Sequence, residues 1–416
     1  MNTMKEVVTL AEHIKPDNGI SVKTSLADLT LVEFEGIVEK YGSPKFHARQ
    51  ILLWLYRHNI TSFDEMTDVP LELRRKLTSH FNILSTKIRN KHTSADGTDK
   101  LVIELPDPVS PVRDFSSRKC NTDLDGKPAT EGISNRANGA DGNFIETVLI
   151  REGNRKTVCI STQVGCPIRC IFCASGLNGV KRNLTTAEIV EQVLHIKRYE
   201  PQNEETPPQN YNIVVMGIGE PLLNFDNLVK ALKIFKASWG MGIGYNRITL
   251  STVGTLLNRL QELVERKVTP NLALSLHAPN DTIRKMLVPT LKVKVAELIK
   301  AGVEYKSATG KDVTFEYVLI KDVNDGKKHA LELGKKLHGK GCKVNVIPYN
   351  RVAELPYEEP TADGIDKFVE TLGGCGVPIM VRKRKGDEIS AACGQLRAIT
   401  EKVINRSIVT TQELDT

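Results

Sequence analysis

The sequence predicts an α/β fold: a small helical domain leading into a parallel sheet or barrel. Three observations carry that reading. From Phe144 onward, short apolar runs alternate with amphipathic helical stretches. Before them, from about Ser25 to Ile83, apolar residues recur at helical spacing. Third, three of the eight cysteines fall within residues 166–173, just beyond one of the apolar runs, where a β/α fold collects its functional groups.

The chain has 416 residues, enough for one large domain of roughly 250 residues with smaller additions. Residues 1–24 read as an extension without the apolar core of a signal peptide. Nowhere do about 18 apolar residues run together, so a soluble, cytoplasmic protein with no membrane contact is expected. In that compartment thiols stay reduced, and clustered cysteines point to metal binding or redox chemistry before structural disulfides. Lys and Arg number 57 against 50 Asp and Glu, a net charge of +7, which gives a polyanionic partner something to hold.

Residues 25–84 form the helical domain. In "FHARQILLWLYR" Ile51, Trp54 and Leu55 fall at i, i+3 and i+4 and make one apolar stripe. In "VPLELRRKLTSHFNI" Pro70 stands near a helix start and the stretch carries more basic residues. Residues 85–105 read as a hairpin linker, two strands about the turn "ADGTD". Residues 106–143 are rich in Pro, Gly, Ser, Asn and Asp without apolar periodicity, which is a flexible insertion; Cys120 within it is incidental. Residues 144–385 hold the strand-like runs "ETVLI", "TVCIST", "NIVVMG", "RITLST", "NLALSLH", "VTFEYVLI", "KVNVIPYN" and "PIMVRK", many separated by helical stretches. The residues just after each strand line the working face of such a fold. "GMGIG" at 240–244 reads as a turn, and residues 386–416 are a C-terminal segment carrying Cys393.

Cys166, Cys170 and Cys173 follow the spacing C-x3-C-x2-C. Three thiolates on one tight loop suit three corners of a cubane iron–sulfur cluster, with one iron left open to a substrate. A zinc site is the alternative, but structural zinc closes with four ligands and no partner pair completes the set.

"GCPIRCIFC" after a strand, with "MGIGEPLLN" further on, resembles the radical S-adenosylmethionine (SAM) enzymes. The stretches "KFHARQILLWLY", "FDEMTDVP", "VCISTQVGCPIRCIFCASGLNGVKRNLT", "LSTVG", "SLHAPNDTIRKMLVP", "VIPYN" and "GDEISAACGQL" narrow the resemblance to the RlmN/Cfr family of RNA adenosine methyltransferases. It spans all but the amino-terminal extension, the 106–143 insertion and the tail. It implies a partial, six-stranded β/α barrel with an RNA-binding accessory domain, a [4Fe–4S] cluster on Cys166, Cys170 and Cys173, and two SAM molecules per turnover. Gly219 and Glu220 match positions that meet the SAM amino group, and Ser251, Ser275, Leu276, His277 and Asn350 match further SAM contacts. By the same resemblance Cys393 carries the methyl group and Cys159 resolves the RNA adduct by a transient disulfide. Glu146 matches a glutamate proposed to accept the proton of the base carbon. An unactivated adenine C–H carbon is not nucleophilic, which is why a radical route and a carrier thiol are needed. The implied substrates are 23S rRNA and tRNA, with a flavodoxin- or ferredoxin-type electron donor and a monomeric enzyme.

Lys181 and Arg182, and "RKRK" at 382–385, are expected to flank an RNA entrance and neutralise phosphates. Cys342 and Cys375 match no role in the family and read as structural thiols. "GEPLLN" favours C2 methylation over the C8 chemistry of the Cfr type, where alanine usually follows that glutamate. From another class, a non-catalytic iron–sulfur RNA-binding protein would need neither Cys159 nor Cys393.

Overall fold

The computed structural model describes residues 23–107, 143–200, 211–382 and 385–397. Most of the 106–143 insertion, with Cys120, lies outside the described residues, as do residues 1–22 and the tail beyond 397.

The described residues open with β1 (Thr24–Ser25), followed by the helices α1 (Leu31–Lys40), α2 (Phe46–Arg57) and α3 (Leu71–His80), before β2 (Phe81–Asn82) pairs parallel with β1. Thr30 and Glu33 form a reciprocal cap at the start of α1. The stripe on α2 is real, with Ile51 and Leu55 fully buried. Trp54 lies at its edge, because its indole N–H donates to Asp68 Oδ1 (2.6 Å) and keeps one side of the ring wet.

The main sheet is built in chain order by β3 (Lys87–Thr93), β4 (Asp99–Glu104), β5 (Phe144–Glu152) and β6 (Arg155–Cys159). A side ribbon follows, β7 (Gln163–Gly165) against β8 (Val180–Asn183), and then α4 (Thr186–Tyr199). The β/α succession continues through β9 (Tyr211–Val215), α5 (Phe225–Lys236), β10 (Ile248–Thr252), α6 (Asn258–Glu265) and β11 (Asn271–Ser275). It ends with α7 (Asp281–Leu287), α8 (Val295–Thr309), β12 (Val313–Leu319), α9 (Lys327–Leu337), β13 (Lys343–Pro348), α10 (Ala362–Gly373) and β14 (Ile379–Val381). "GMGIG" is the turn after α5, where Ile243 N–H returns to Phe235 O (2.7 Å).

The sheet order is β14-β13-β12-β11-β10-β9-β6-β5-β4-β3, an open row rather than a closed ring. From β6 through β13 six strands run parallel, and β14 adds a short seventh. This is the partial barrel the sequence implied, with two corrections at its near edge. The first apolar run, β5, is antiparallel to β6, so the parallel succession starts at β6 and not at Phe144. The hairpin β3–β4 is no mere linker, because β4 pairs antiparallel with β5 and extends the sheet. Leu101, Val102 and Ile103 on β4 are all buried, which a strand covered on both faces requires. Among the described residues no helix is long and apolar enough to cross a membrane.

One buried carboxylate fixes the helical domain to the barrel. Glu191 on α4 is fully buried and accepts from Ser25 Oγ (2.6 Å), Ser85 N–H (2.9 Å) and Oγ, and Thr86 N–H (2.8 Å) and Oγ1 (2.6 Å). Burial pushes its carboxyl up and these donors pull it back. The substitution Glu191→Gln presents an amide NH2 to donors that need an acceptor, and is expected to cost about 2–4 kcal/mol. A lowered midpoint in urea denaturation, larger than that of Ser25→Ala, checks it.

Candidate functional site

The strand β6 ends at Cys159, and the chain leads through β7 into the cysteine loop. That loop is pinned at both ends and in the middle. Cys166 N–H donates to Gly179 O (2.9 Å), Cys173 N–H to Cys170 O (3.1 Å), Ile171 N–H to Leu287 O (3.0 Å), and Thr290 Oγ1 to Ile168 O (2.6 Å). Arg169 turns the loop with φ +54°, and Gly176 packs so closely that a Cβ there would come within 2.8 Å of Arg169 Cα.

The three thiols are free and line one wall of a cleft of about 150 Å³. Burial pushes all three up, Cys166 to about 12, so their thiolate forms need a neighbouring cation. Among the described residues no group of His, Cys, Asp or Glu is placed to hold a single metal ion. A cubane makes a different demand, because each thiolate binds its own iron. Three reduced thiols facing one cleft fit that demand.

The other walls are the carboxyl ends of the parallel strands. Gly217, Gly219 and Glu220 follow β9, Ser251 and Thr252 end β10, Ser275 ends β11 with His277 just after it, and Asn350 follows β13; all line the cleft. Gly219 has φ +114°, and a Cβ on it would meet Gln163 Cβ at 2.8 Å, so only glycine lets this turn close on the loop after β6. Glu220 is buried and its carboxylate accepts from Thr252 Oγ1 (2.5 Å), Val253 N–H (3.1 Å) and Leu222 N–H (3.3 Å), which fixes it at the cleft wall. His277 has φ +57°, accepts Val318 N–H on Nδ1 (3.1 Å) and stacks edge-on against Phe172. Burial lowers its pKa to about 3, so the ring is a neutral acceptor and not a titrating base. Asn350 Nδ2 donates to Cys393 O (2.9 Å), while its Oδ1 is buried without a partner among the described residues and offers an acceptor to a bound ligand. Leu276 is the exception among the predicted contacts, with its side chain in the hydrophobic core rather than in the cleft.

A second cavity, of about 610 Å³, opens beside the first and shares Met216, Ile347, Asn350, Arg382 and Cys393 with it. Cys393 therefore stands on the partition, facing the cleft of the three cysteines on one side and Cys159 on the other. The segment 385–397 that presents it has almost no regular structure and is held by others. Gly386 N–H donates to Asp96 Oδ2 (3.0 Å), Ala174 N–H to Gly394 O (2.8 Å), Ser175 Oγ to Leu396 O (2.6 Å), and Arg397 N–H to Glu146 Oε2 (2.6 Å). Glu146 lines neither cavity. It is buried on β5 in an ion pair with buried Lys100 (3.0 Å), whose ammonium also reaches Ser390 O (3.5 Å).

The basic pairs need correction. Arg182 is not free for phosphates, since it grips Glu188 through both carboxylate oxygens (2.7 Å each) at the start of α4. Lys181 remains exposed. Arg382, directly after β14, lines both cavities; Lys383 and Arg384 lie outside the described residues. Arg382, Met216 and Glu316 are wall residues that sequence reasoning missed. The signal for Arg382 was its place directly after "PIMV", inside a strand's register and not in a charge run. Cys342 is buried in the core and Cys375 packs against it, both away from the cavities.

Comparison with known proteins places this architecture. Residues 160–334 match the model of the Radical SAM superfamily, and residues 24–83 match the Ribosomal RNA large subunit methyltransferase N-terminal domain. A protein of Rhodopirellula baltica named "Probable dual-specificity RNA methyltransferase RlmN" is 40% identical over 376 residues, 90% of this chain and 91% of its own. One of the same name from Spiroplasma citri is 42% identical, over 88% of this chain and 95% of its own. This chain belongs to the RlmN family of radical SAM RNA methyltransferases. A crystal structure of a radical SAM methyltransferase from Sphaerobacter thermophilus superposes with a TM-score of 0.77 at 37% identity, covering 90% of this chain and all of that one. Membership of the radical SAM superfamily implies a [4Fe–4S] cluster and SAM, and the first cleft has the donor set for both.

The ion pair under the Cys393 segment gives a direct test. In Lys100→Met, Glu146 is left buried and uncompensated, a loss of about 3–5 kcal/mol when one partner of such a pair is removed. Amide hydrogen exchange is expected to rise first in residues 385–397, ahead of β9–β12.

Proposed function

We propose that this protein methylates C2 of an adenosine in 23S rRNA and of an adenosine in the anticodon loop of certain tRNAs, through a methyl group carried on Cys393. The observation that supports it is the position of Cys393 on the wall between two cavities, one shared with Cys166, Cys170 and Cys173, the other with Cys159. A carrier thiol has to face both its methyl source and its resolving partner.

In this reading Cys166, Cys170 and Cys173 hold the cluster, and Gly219, Glu220, Ser251, Ser275, His277 and Asn350 surround SAM. When bound, the cluster and two SAM molecules supply a transferable methyl group and a carbon radical that removes hydrogen. Cys393 Sγ takes the methyl; loss of one hydrogen atom from it to that radical leaves a carbon that bonds the base carbon, which joins enzyme and RNA covalently, and the odd electron of the adduct would return to the cluster. Cys159 Sγ then attacks the sulfur of Cys393. The sulfur–sulfur bond forms and the sulfur–carbon bond breaks; its electron pair stays on carbon, which takes one proton and leaves as the methyl group. The disulfide returns to two thiols with cellular thiol reductant. Glu146 lines neither cavity while it is paired with Lys100, so it accepts the proton of the base carbon only once that pair has opened toward the second cavity. Burial raises its carboxyl above the usual range, so it is the stronger base whenever Lys100 turns away.

The RNA base has to leave its stack to reach Cys393, and the wide second cavity is its way in. A low-potential flavodoxin or ferredoxin is the expected electron source, and a monomer the working form. C2 is preferred over C8 because Pro221, and not alanine, follows Glu220, and because the similar curated proteins carry the RlmN name. A pure RNA binder would have no use for Cys159 and Cys393 on one cavity wall.

Anaerobic reconstitution is expected to load about four irons with labile sulfide; a fully active preparation with one zinc and no sulfide would end the cluster reading. Incubation with SAM, reductant and RNA should give 2-methyladenosine on nucleoside analysis, and 8-methyladenosine instead would move the assignment to the Cfr type. Cys393→Ala should form neither product nor adduct, whereas Cys159→Ala should accumulate protein joined to RNA on denaturing gels. Normal turnover by Cys159→Ala would refute the roles of the pair.

A further inference from the structure

We propose that the Arg382 guanidinium is the counter-charge that allows Cys159 to react as a thiolate in the exchange that releases the product. The inference rests on the roles given to Cys159 and Cys393 above, and assigns a residue to which none of those roles belongs.

Arg382 is placed for it by the fold. Its N–H donates to Val346 O (2.9 Å), which fixes the backbone at the end of β14, and its side chain lines both cavities together with Cys393. Cys159 lines the second cavity with them. Met216, just after β9, joins the two groups: its Sδ lies 3.9 Å from Arg382 Nη1, and its backbone N–H donates to Cys159 Sγ. Among the described residues no carboxylate lies within ion-pair distance of Arg382. Glu316 on β12 is its nearest charge partner by field, but Glu316 Oε2 is bonded to Asn345 Nδ2 (2.7 Å). A guanidinium held inside a wall without a carboxylate is costly, and here it faces two thiols that take turns as anions.

The chemistry requires such a charge. Burial pushes the Cys159 thiol up to about 12, and only the thiolate attacks a sulfur. The charged or titratable groups facing Cys159 are the Cys393 thiol, which raises it further, and Arg382, which lowers it; Glu152, Arg155 and Lys385 stand elsewhere on the same cavity wall. A permanently charged, planar cation is the suitable partner, since it does not lose its proton when the thiol does.

Two variants separate charge from packing: Arg382→Lys, which keeps the cation, and Arg382→Met, which keeps the length and removes it. In the reduced protein, iodoacetamide alkylation of Cys159 followed by peptide mass spectrometry at pH 9 is expected to slow at least tenfold in Arg382→Met, with its pH midpoint moved up by about one unit, and to stay within about threefold of wild type in Arg382→Lys. With SAM, reductant and RNA, Arg382→Met should still form the covalent adduct but resolve it at least tenfold more slowly, and recover as pH rises. Unchanged alkylation together with wild-type resolution in Arg382→Met overturns the proposal. Loss of adduct formation in both variants also overturns it, because it shows a structural role. If Cys159→Ala traps no adduct, the exchange reading falls, and the alkylation result still reports whether Arg382 governs the thiol.

Discussion

With Cys393 as the proposed methyl carrier, the activity depends on holding an almost unstructured segment, residues 385–397, at one depth against the end of a barrel. The segment makes few bonds to itself, so its shape is imposed from outside. Its anchors come from four distant places in the chain: Asp96 in the β3–β4 turn, the Lys100–Glu146 pair on β4 and β5, Ala174 and Ser175 just past the cysteine loop, and Asn350 after β13. Backbone groups of a loop have no ladder to satisfy them, and buried polar groups elsewhere supply the partners. This explains why the antiparallel strands β3, β4 and β5 are added to a barrel that would otherwise begin at β6. They carry half of the anchors.

Buried carboxylates serve as receivers throughout. Glu191 gathers the linker and the helical domain, Glu220 gathers the end of β10, and Glu146 gathers the Cys393 segment. In each case burial alone favours the neutral acid, and several donors or a cation hold the charge in place. Such sites are directional. They fix the position of a segment in a way that apolar packing, which is non-directional, does not.

The electrostatics of the two cavities differ accordingly. The first presents three half-buried thiols and a carboxylate, with His277 neutral, and so welcomes a cationic group. The second has cationic Arg155, Arg382 and Lys385 among apolar walls, with Glu152 the one carboxylate in its lining among the described residues, which suits the entry of an anionic polymer and the formation of a thiolate. Cys393 stands where the two fields meet.

The sequence by itself determined the helical domain, the run of parallel strands, the cysteine loop and the positions after each strand. These are local matters of periodicity and spacing: an apolar run of strand length, an amphipathic helix and C-x3-C-x2-C each report their structure within a few residues. It also singled out Cys159 and Cys393, though only through resemblance to a family, since nothing near either residue marks it. Tertiary structure alone decided which groups face the reaction and which serve elsewhere. It drew Glu146 out of the cavity walls into an ion pair with Lys100, turned Leu276 into the core, took Arg182 for Glu188, and aimed Arg382 inward between two thiols. The physical reason is that a charge's role is set by its nearest opposite charge and its exposure to water, and both depend on segments that lie far apart along the chain.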